Sequence, residues 1–285
     1  MTAHTMIADR TGLLADRRRR TLAYIGLSLM LVLGVVVAGT LATDAAQTTS
    51  LTDRNLSPSW EHVFGTDRLG RDMLARVLSG LRLSLVVGTT AAVISALIAV
   101  VLACAAAVGG RLVDRAVTWL VDLFLALPHL VLLILLAFAL GGGTQAVIIA
   151  VAVTHWPTLT RVLRGKAAEV VSSDYVAVAR SLGKGRGWIA RRHLVPHLAG
   201  HFLVGTVLLF PHAILHEAAL SFLGLGVDPA EPSIGVLLAE SMRYLTAGAW
   251  WLAVLPGLCL LVVVKLVDTI GENCRVLLDP RSHHL

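Results

Sequence analysis

The residues best suited to chemistry in this chain are histidines set among apolar neighbours. His212 and His216 are four apart and are followed at once by Glu217, while His155 stands beside Trp156 in a separate apolar run. Residues four apart share one face of a helix. Two imidazoles on one face suit a borderline transition metal or a polar ligand. His129, Asp122 and His201 also lie in apolar runs, and ionisable groups in hydrocarbon are costly enough to make each a functional candidate. The competing reading is that each histidine bonds a carbonyl of a neighbouring helix. His212 and His216 are therefore expected as a transient metal pair, with His155 and Glu217 beside a pathway and Glu217 also open to an architectural role.

Enzyme signatures fail at specific positions. His216-Glu217 begins the HExxH pattern of zinc proteases, but Leu220 stands where the second histidine ligand belongs. Ser221 lies in LSFLG, not in a GxSxG nucleophile elbow. No GxxxxGK[ST] phosphate loop occurs, so any ATP must be hydrolysed by another chain. The His283-His284 pair is read as an exposed tail before it is read as a metal clue.

The elements that hold these side chains follow from composition. Of 285 residues, 56% are hydrophobic and 15% charged, with a mean hydropathy of +0.78. A soluble globule averages about half apolar and a quarter charged, and a disordered chain needs low hydrophobicity, so both are excluded. The expectation is an all-α membrane protein, since a span needs about 20 apolar residues. Six such runs fit, near 21–42, 82–108, 117–140, 145–163, 198–220 and 246–270. The first is too long for a signal-peptide core of about 7–15 residues and reads as an uncleaved anchor. The chain then divides into a cytoplasmic tail 1–20, the first transmembrane helix 21–42, an extracytoplasmic amphipathic segment 43–81, a five-helix core 82–270 and a cytoplasmic tail 271–285.

The net charge of +6 reflects topology, not a nucleic-acid partner, because the basic residues sit between spans. The run Arg17 to Arg20, Arg111 and Arg115, and seven basic residues over 164–197 fall on one side. The positive-inside rule puts that side and both termini in the cytoplasm. Cys104, Cys259 and Cys274 form no metal or disulfide motif. Within 43–81, Leu69, Met73, Leu74, Val77, Leu78 and Leu81 recur at helical spacing, which predicts an amphipathic helix on the membrane surface or against other spans. Gly88, Ala91, Ala92, Ser95, Ala96, Ala99 and Ala103 make the second span rich in small residues, as expected of a helix central to a bundle.

The most informative polar stretch is SSDYVAVARSLGKGRGWIARRHLVP, residues 172–196. Ser172, Ser173 and Asp174 offer an N-cap, and residues 174–182 fit a short helix with Tyr175, Val178, Ala179 and Leu182 on one side. Gly183 is placed to end it. Trp188, Ile189, Leu194 and Val195 supply a second apolar face before Pro196 opens the next span. Two short helices projecting from a membrane bundle form a knob for a soluble partner. The alternatives are a phosphate loop, which lacks the spacing, a DNA-reading helix pair, which its tethers to lipid disfavour, and a solvated connection.

On these strings the chain resembles the inner-membrane permeases of ATP-binding-cassette importers, in the branch that carries dipeptides, oligopeptides and nickel. Asp174-Tyr175-Val176, Ala179-Arg180-Ser181-Leu182-Gly183, Ile189, His193-Leu194 and Pro196 look like the family's coupling motif. GTDRLGRD at 65–72, EAALSFLGLGV at 217–227, Pro232-Ser233-Ile234-Gly235 and LLDPR at 277–281 follow in order. Val178 stands where a second alanine is usual, and Asp268-Thr269-Ile270-Gly271-Glu272 replaces a typical Asn-Leu-Leu-Gly-Asp. The resemblance implies a six-transmembrane-helix ABC importer permease with cytoplasmic coupling helices, in a bacterial cytoplasmic (inner) membrane. It also implies a second homologous permease, two cytoplasmic ATPases that use ATP and magnesium, and an extracytoplasmic solute-binding protein. No cofactor is expected on this chain, and the docking loop argues against a passive channel. Asp174, Tyr175, Ala179, Arg180, Gly183 and Pro196 are implied as ATPase-coupling residues. His155-Trp156 and His212-x-x-x-His216 look closer to nickel or metal-chelate permeases than to peptide permeases.

Overall fold

A computed structural model describes residues 3–228 and 230–278, with side chains from Arg18 to Leu277. The His283-His284 pair, the side chain of Arg17 and the end of the LLDPR string lie outside the described residues. Among the described residues the regular structure is helical, apart from one isolated bridge between Thr66 and Asp72 in the irregular stretch that joins the first two helices. Ten helices follow in order: α1 (Ala3–Leu41), α2 (Met73–Gly109), α3 (Arg111–Ala126), α4 (His129–Ala139), α5 (Gly143–Val171), α6 (Asp174–Ser181), α7 (Arg186–Ile189), α8 (Val195–Phe222), α9 (Ile234–Leu245) and α10 (Trp251–Leu278). Five helical runs are long and apolar enough to cross a membrane, and α3 with α4 makes a sixth if that bent pair counts as one span.

Helix α2 is the hub. Its most extensive packing is on α5, then on α8, and it also touches α1, α3 and α9. Ala91, Ala92, Ala96, Ala99 and Ala103 are buried along it, so the neighbours approach closely, as small residues permit in lipid. Gly88 marks one such approach, where an added Cβ would lie 3.2 Å from the Phe210 ring. Helix α1 lies at the periphery against α10 and α2, with most of its apolar side chains outward.

Three elements differ from the sequence expectation. The amphipathic stretch before residue 82 is no separate surface helix. Asp72 caps the first turn by accepting from the Ala75 N–H at 2.9 Å, and α2 runs unbroken from Met73 into the apolar span. Met73, Val77 and Leu81 are buried against other helices. The run 117–140 breaks at Leu127-Pro128 into α3 and α4, which meet at 95°. Proline removes a helical N–H and pushes the preceding residue out of the helical region, and Leu127 is indeed extended at φ −81, ψ 141. Pro196 stands in the first turn of α8 as expected, but the fifth span does not begin there, because the helical run starts at Arg186 and passes through a π-helical turn at Ala190–Leu194. There the Val195 N–H reaches the Ala190 carbonyl. A wider turn accommodates a ring that has no N–H to give.

The segment between α1 and α2 is held by charge. Asp67, buried, accepts from the Leu69 and Arg71 backbone N–H groups at 2.8 and 2.9 Å, from Arg71 Nε at 2.7 Å and from Arg76 Nη1 at 2.7 Å. The same Arg76 nitrogen donates to Glu240 of α9 at 2.9 Å. Burial works against the Asp67 charge, yet the Arg71 N–H bond and the Arg76 guanidinium together hold its carboxyl below the ordinary range.

Candidate functional site

The stretch 172–196 folds as a knob on the bundle. Ser173 precedes α6 with extended backbone. Gly183 follows at φ +75, with its N–H on the Arg180 carbonyl and the Lys184 N–H on the Ala179 carbonyl, a glycine-ended helix of the kind the spacing suggests. Val176 and Ala179 of α6 and Ile189 and Leu194 beyond it are buried, whereas Tyr175 (50%), Val178 (56%), Leu182 (71%) and Trp188 (42%) stand exposed. The face expected to carry Ala179 with Tyr175, Val178 and Leu182 therefore splits: Ala179 seats the knob and the other three face outward. His193 packs its ring against both Tyr175 and Trp188, with centroids 5.3 and 5.2 Å away, and so couples the two short helices. Arg186 reaches the carbonyl of Gly109 at the end of α2 at 3.3 Å. Arg180, Lys184 and Arg186 line a groove of about 400 Å³ between the knob and α2. Asp174 and Pro196 are exposed on the knob and just beyond it.

The histidines assemble differently from the expected pair. His216 Nδ1 donates to the backbone carbonyl of His212 at 2.7 Å, while the His212 side chain is exposed and takes no part in the group. The partners of His216 are His155 of α5 and His129, the first residue of α4. One candidate donor atom from each of the three rings lies within 4.8 Å of the others, and His155 Nε2 is 3.3 Å from His216 Nδ1. Sequence spacing shows neighbours along one helix; it does not show that the break at Pro128 carries His129 across to α5 and α8. Pro128 itself was the available signal.

Glu217 does not join the histidines. It is fully buried, and its Oε1 accepts from the Ser221 hydroxyl at 2.7 Å. Ser221 Oγ in turn accepts from the Val227 N–H at 3.1 Å. Gly226 and Gly235 press against Ser221 and the Ala218 carbonyl with no room for a side chain. The string 217–227 is thus a packed corner between α8 and α9. Asp122 pairs with Arg161 at 2.7 Å, and Asp114 takes Arg164 Nη2 at 2.8 Å, so two Arg–Asp pairs tie α3 to α5. Both were missed in the sequence because their partners lie 39 and 50 residues apart.

Residues 95–275 match the family described as binding-protein-dependent transport system inner membrane component. The chain belongs to that family. It is the inner-membrane permease of an ATP-binding-cassette importer, and its helical architecture agrees with that fold. Among its relatives, a putative peptide transport system permease of Brucella suis biovar 1 is 36% identical over 265 residues, covering 93% of this chain and 89% of that protein. A dipeptide transport system permease of Bacillus subtilis is 34% identical over 266 residues, 93% and 83% of the two chains. A putative peptide transport system permease of Brucella abortus biovar 1 is 37% identical over 259 residues, 90% and 87%. These permeases are named for peptides, which turns the nickel or metal-chelate expectation drawn from His155 and His212 toward the peptide side of the branch.

Proposed function

We propose that this permease carries dipeptides or short oligopeptides across the inner membrane, paired with a second permease, driven by two cytoplasmic ATPases and supplied by an extracytoplasmic binding protein. The observation that carries the cargo reading is the near full-length likeness to peptide and dipeptide permeases on both chains. The nickel or chelate cargo suggested by the histidine spacing has no such support. The exposed apolar face of Tyr175, Val178, Leu182 and Trp188 supports the knob as the ATPase contact, since an isolated loop gains nothing from displaying four large apolar groups to water. Asp174 and Arg180 edge that face, Ala179 and Gly183 hold its shape, and Pro196 joins it to α8. In this scheme ATP and magnesium stay on the partner chains, and closure of the ATPase pair moves the knob and α8 as one body.

On the other side, Trp60, Leu51 and Val63 of the segment between α1 and α2 are exposed, which fits a docking surface for the binding protein. With the positive-inside orientation, both termini lie in the cytoplasm. Reconstitution of the complete transporter in proteoliposomes tests the cargo. Labelled dipeptide is expected to accumulate with ATP, and nickel alone is not. Nickel uptake without peptide uptake would overturn the reading.

A further inference from the structure

We propose that His129, His155 and His216 form a three-imidazole site for a divalent transition-metal ion, of the borderline class that includes zinc, cobalt and nickel. The inference is independent of the cargo, and its failure would leave the peptide reading intact. The three ring centroids are 4.6, 4.9 and 5.0 Å apart, and the rings stand at 78°, 75° and 75° to one another. That is a near-equilateral propeller. A tetrahedral ion about 2.0–2.1 Å from each nitrogen spaces the nitrogens about 3.3 Å apart and the ring centres about 5 Å apart. The observed centroid triangle has that size, and one candidate donor nitrogen from each ring lies within 4.8 Å of the other two.

The second shell points the same way. His155 Nδ1 is 2.9 Å from the Val151 carbonyl and His216 Nδ1 is 2.7 Å from the His212 carbonyl. A carbonyl only accepts, so both Nδ1 atoms carry the proton and both Nε2 atoms are left with a lone pair. Backbone bonds of this kind fix the tautomer and orientation of metal-ligating histidines. Among the described residues the one donor near these lone pairs is His216 Nδ1, 3.3 Å from His155 Nε2, but its shorter bond goes to the His212 carbonyl, so a cation among the rings satisfies the converging lone pairs better.

Each contributing helix also carries a proline near its histidine. Pro128 precedes His129, Pro157 follows His155 by two residues, and Pro211 lies five residues before His216. Pro157 and Pro211 have no N–H for the carbonyls of Val153 and Val207. Irregular backbone at membrane depth is tolerated where it lines a cavity or a site. Among the described residues no fourth histidine, cysteine or carboxylate joins the group, so one coordination position stays open for a small ligand.

The test uses the complete transporter, purified with a tag that contains no histidine and titrated with Co²⁺ and then Zn²⁺. The parent is expected to show the visible d–d absorption of tetrahedral Co²⁺, abolished by Zn²⁺, and a Zn²⁺-dependent rise in Tm. His129→Gln, His155→Gln and His216→Gln should each weaken binding at least tenfold and remove the Tm rise, whereas His212→Gln and the double change His283→Ala, His284→Ala should not. If the glutamine variants fail to fold, His129→Cys serves instead: it should keep binding and add a thiolate-to-cobalt charge-transfer band. A parent with neither spectrum nor Tm shift, parental binding in the three glutamine variants, or a His129→Cys protein without the new band would overturn the site.

Discussion

The two ends of the bundle are secured by opposite means. At one end, Arg76 is 2% exposed and bonds two carboxylates from different elements, Asp67 and Glu240. On the other side, the knob turns its large apolar groups outward and rests on Val176, Ala179, Ile189 and Leu194. A buried charge network tolerates little movement, because displacing one member leaves another desolvated and unpaired. An exposed apolar face stores unused contact energy for a partner. The charged end therefore holds its own geometry, and the knob leaves free the apolar face that the proposal gives to an ATPase.

The largest effect should come from breaking the charged end. Arg76→Met leaves buried Asp67 with only Arg71 as its cation and takes from Glu240 its closest partner, and should destabilise the protein by about 3 kcal/mol, read as a fall in thermal unfolding temperature and in yield of the purified chain. The knob should respond in the opposite sense. Leu182→Asp removes an exposed side chain, so stability should stay within about 0.5 kcal/mol of the parent, while substrate-stimulated ATPase activity of the assembled transporter falls at least tenfold. Equal losses of stability in both variants would erase the contrast.

The contrast was unevenly legible in the sequence. The knob was readable because its signals are local: Ser173, Gly183 and the spacing of Tyr175, Val178 and Leu182 act within a few residues. Even there Ala179 was placed on the wrong side, since which edge of a short helix is buried depends on the bundle beneath it. The charge network was not readable, because Arg76 meets Glu240 164 residues away and looks in sequence like a polar residue on an amphipathic face. The histidine cluster lay between these cases. Its members were picked out one by one as costly groups in apolar runs, but the pairing chosen was His212 with His216, and the break that brings in His129 was carried by Pro128 alone.

Acid sharpens the comparison further. Asp67 has its carboxyl held below the ordinary aspartate value of about 3.9, so it contributes stability that is fully present above that value and is lost as pH falls through the lower, folded pKa. Below about pH 4 the unfolding temperature of the parent should drop more steeply than that of Asp67→Asn, measured in detergent by intrinsic fluorescence. Parallel curves would remove Asp67 as the acid-sensitive element.

The smallest effect belongs to Gly183. Open space surrounds it, so Gly183→Ala meets no clash and costs only the strain of a side chain at positive φ, about 1 kcal/mol. Faster amide exchange confined to α6 should report it, with uptake reduced but not abolished. Loss of the whole fold in this variant would contradict a locally seated knob.

The central claim, that the exposed face of α6 is where the motor grips, is tested most directly by cross-linking. In a variant of this permease lacking Cys104, Cys259 and Cys274, Val178→Cys is treated with a short thiol cross-linker in the assembled transporter, and Ala177→Cys next to it on the same helix measures how sharply position matters. The account predicts an efficient adduct between Val178→Cys and an ATPase chain, with yield changing when ATP binds, and little adduct from a cysteine placed at exposed Trp60 between α1 and α2. An adduct absent at Val178→Cys, or as abundant at Trp60→Cys, would contradict it.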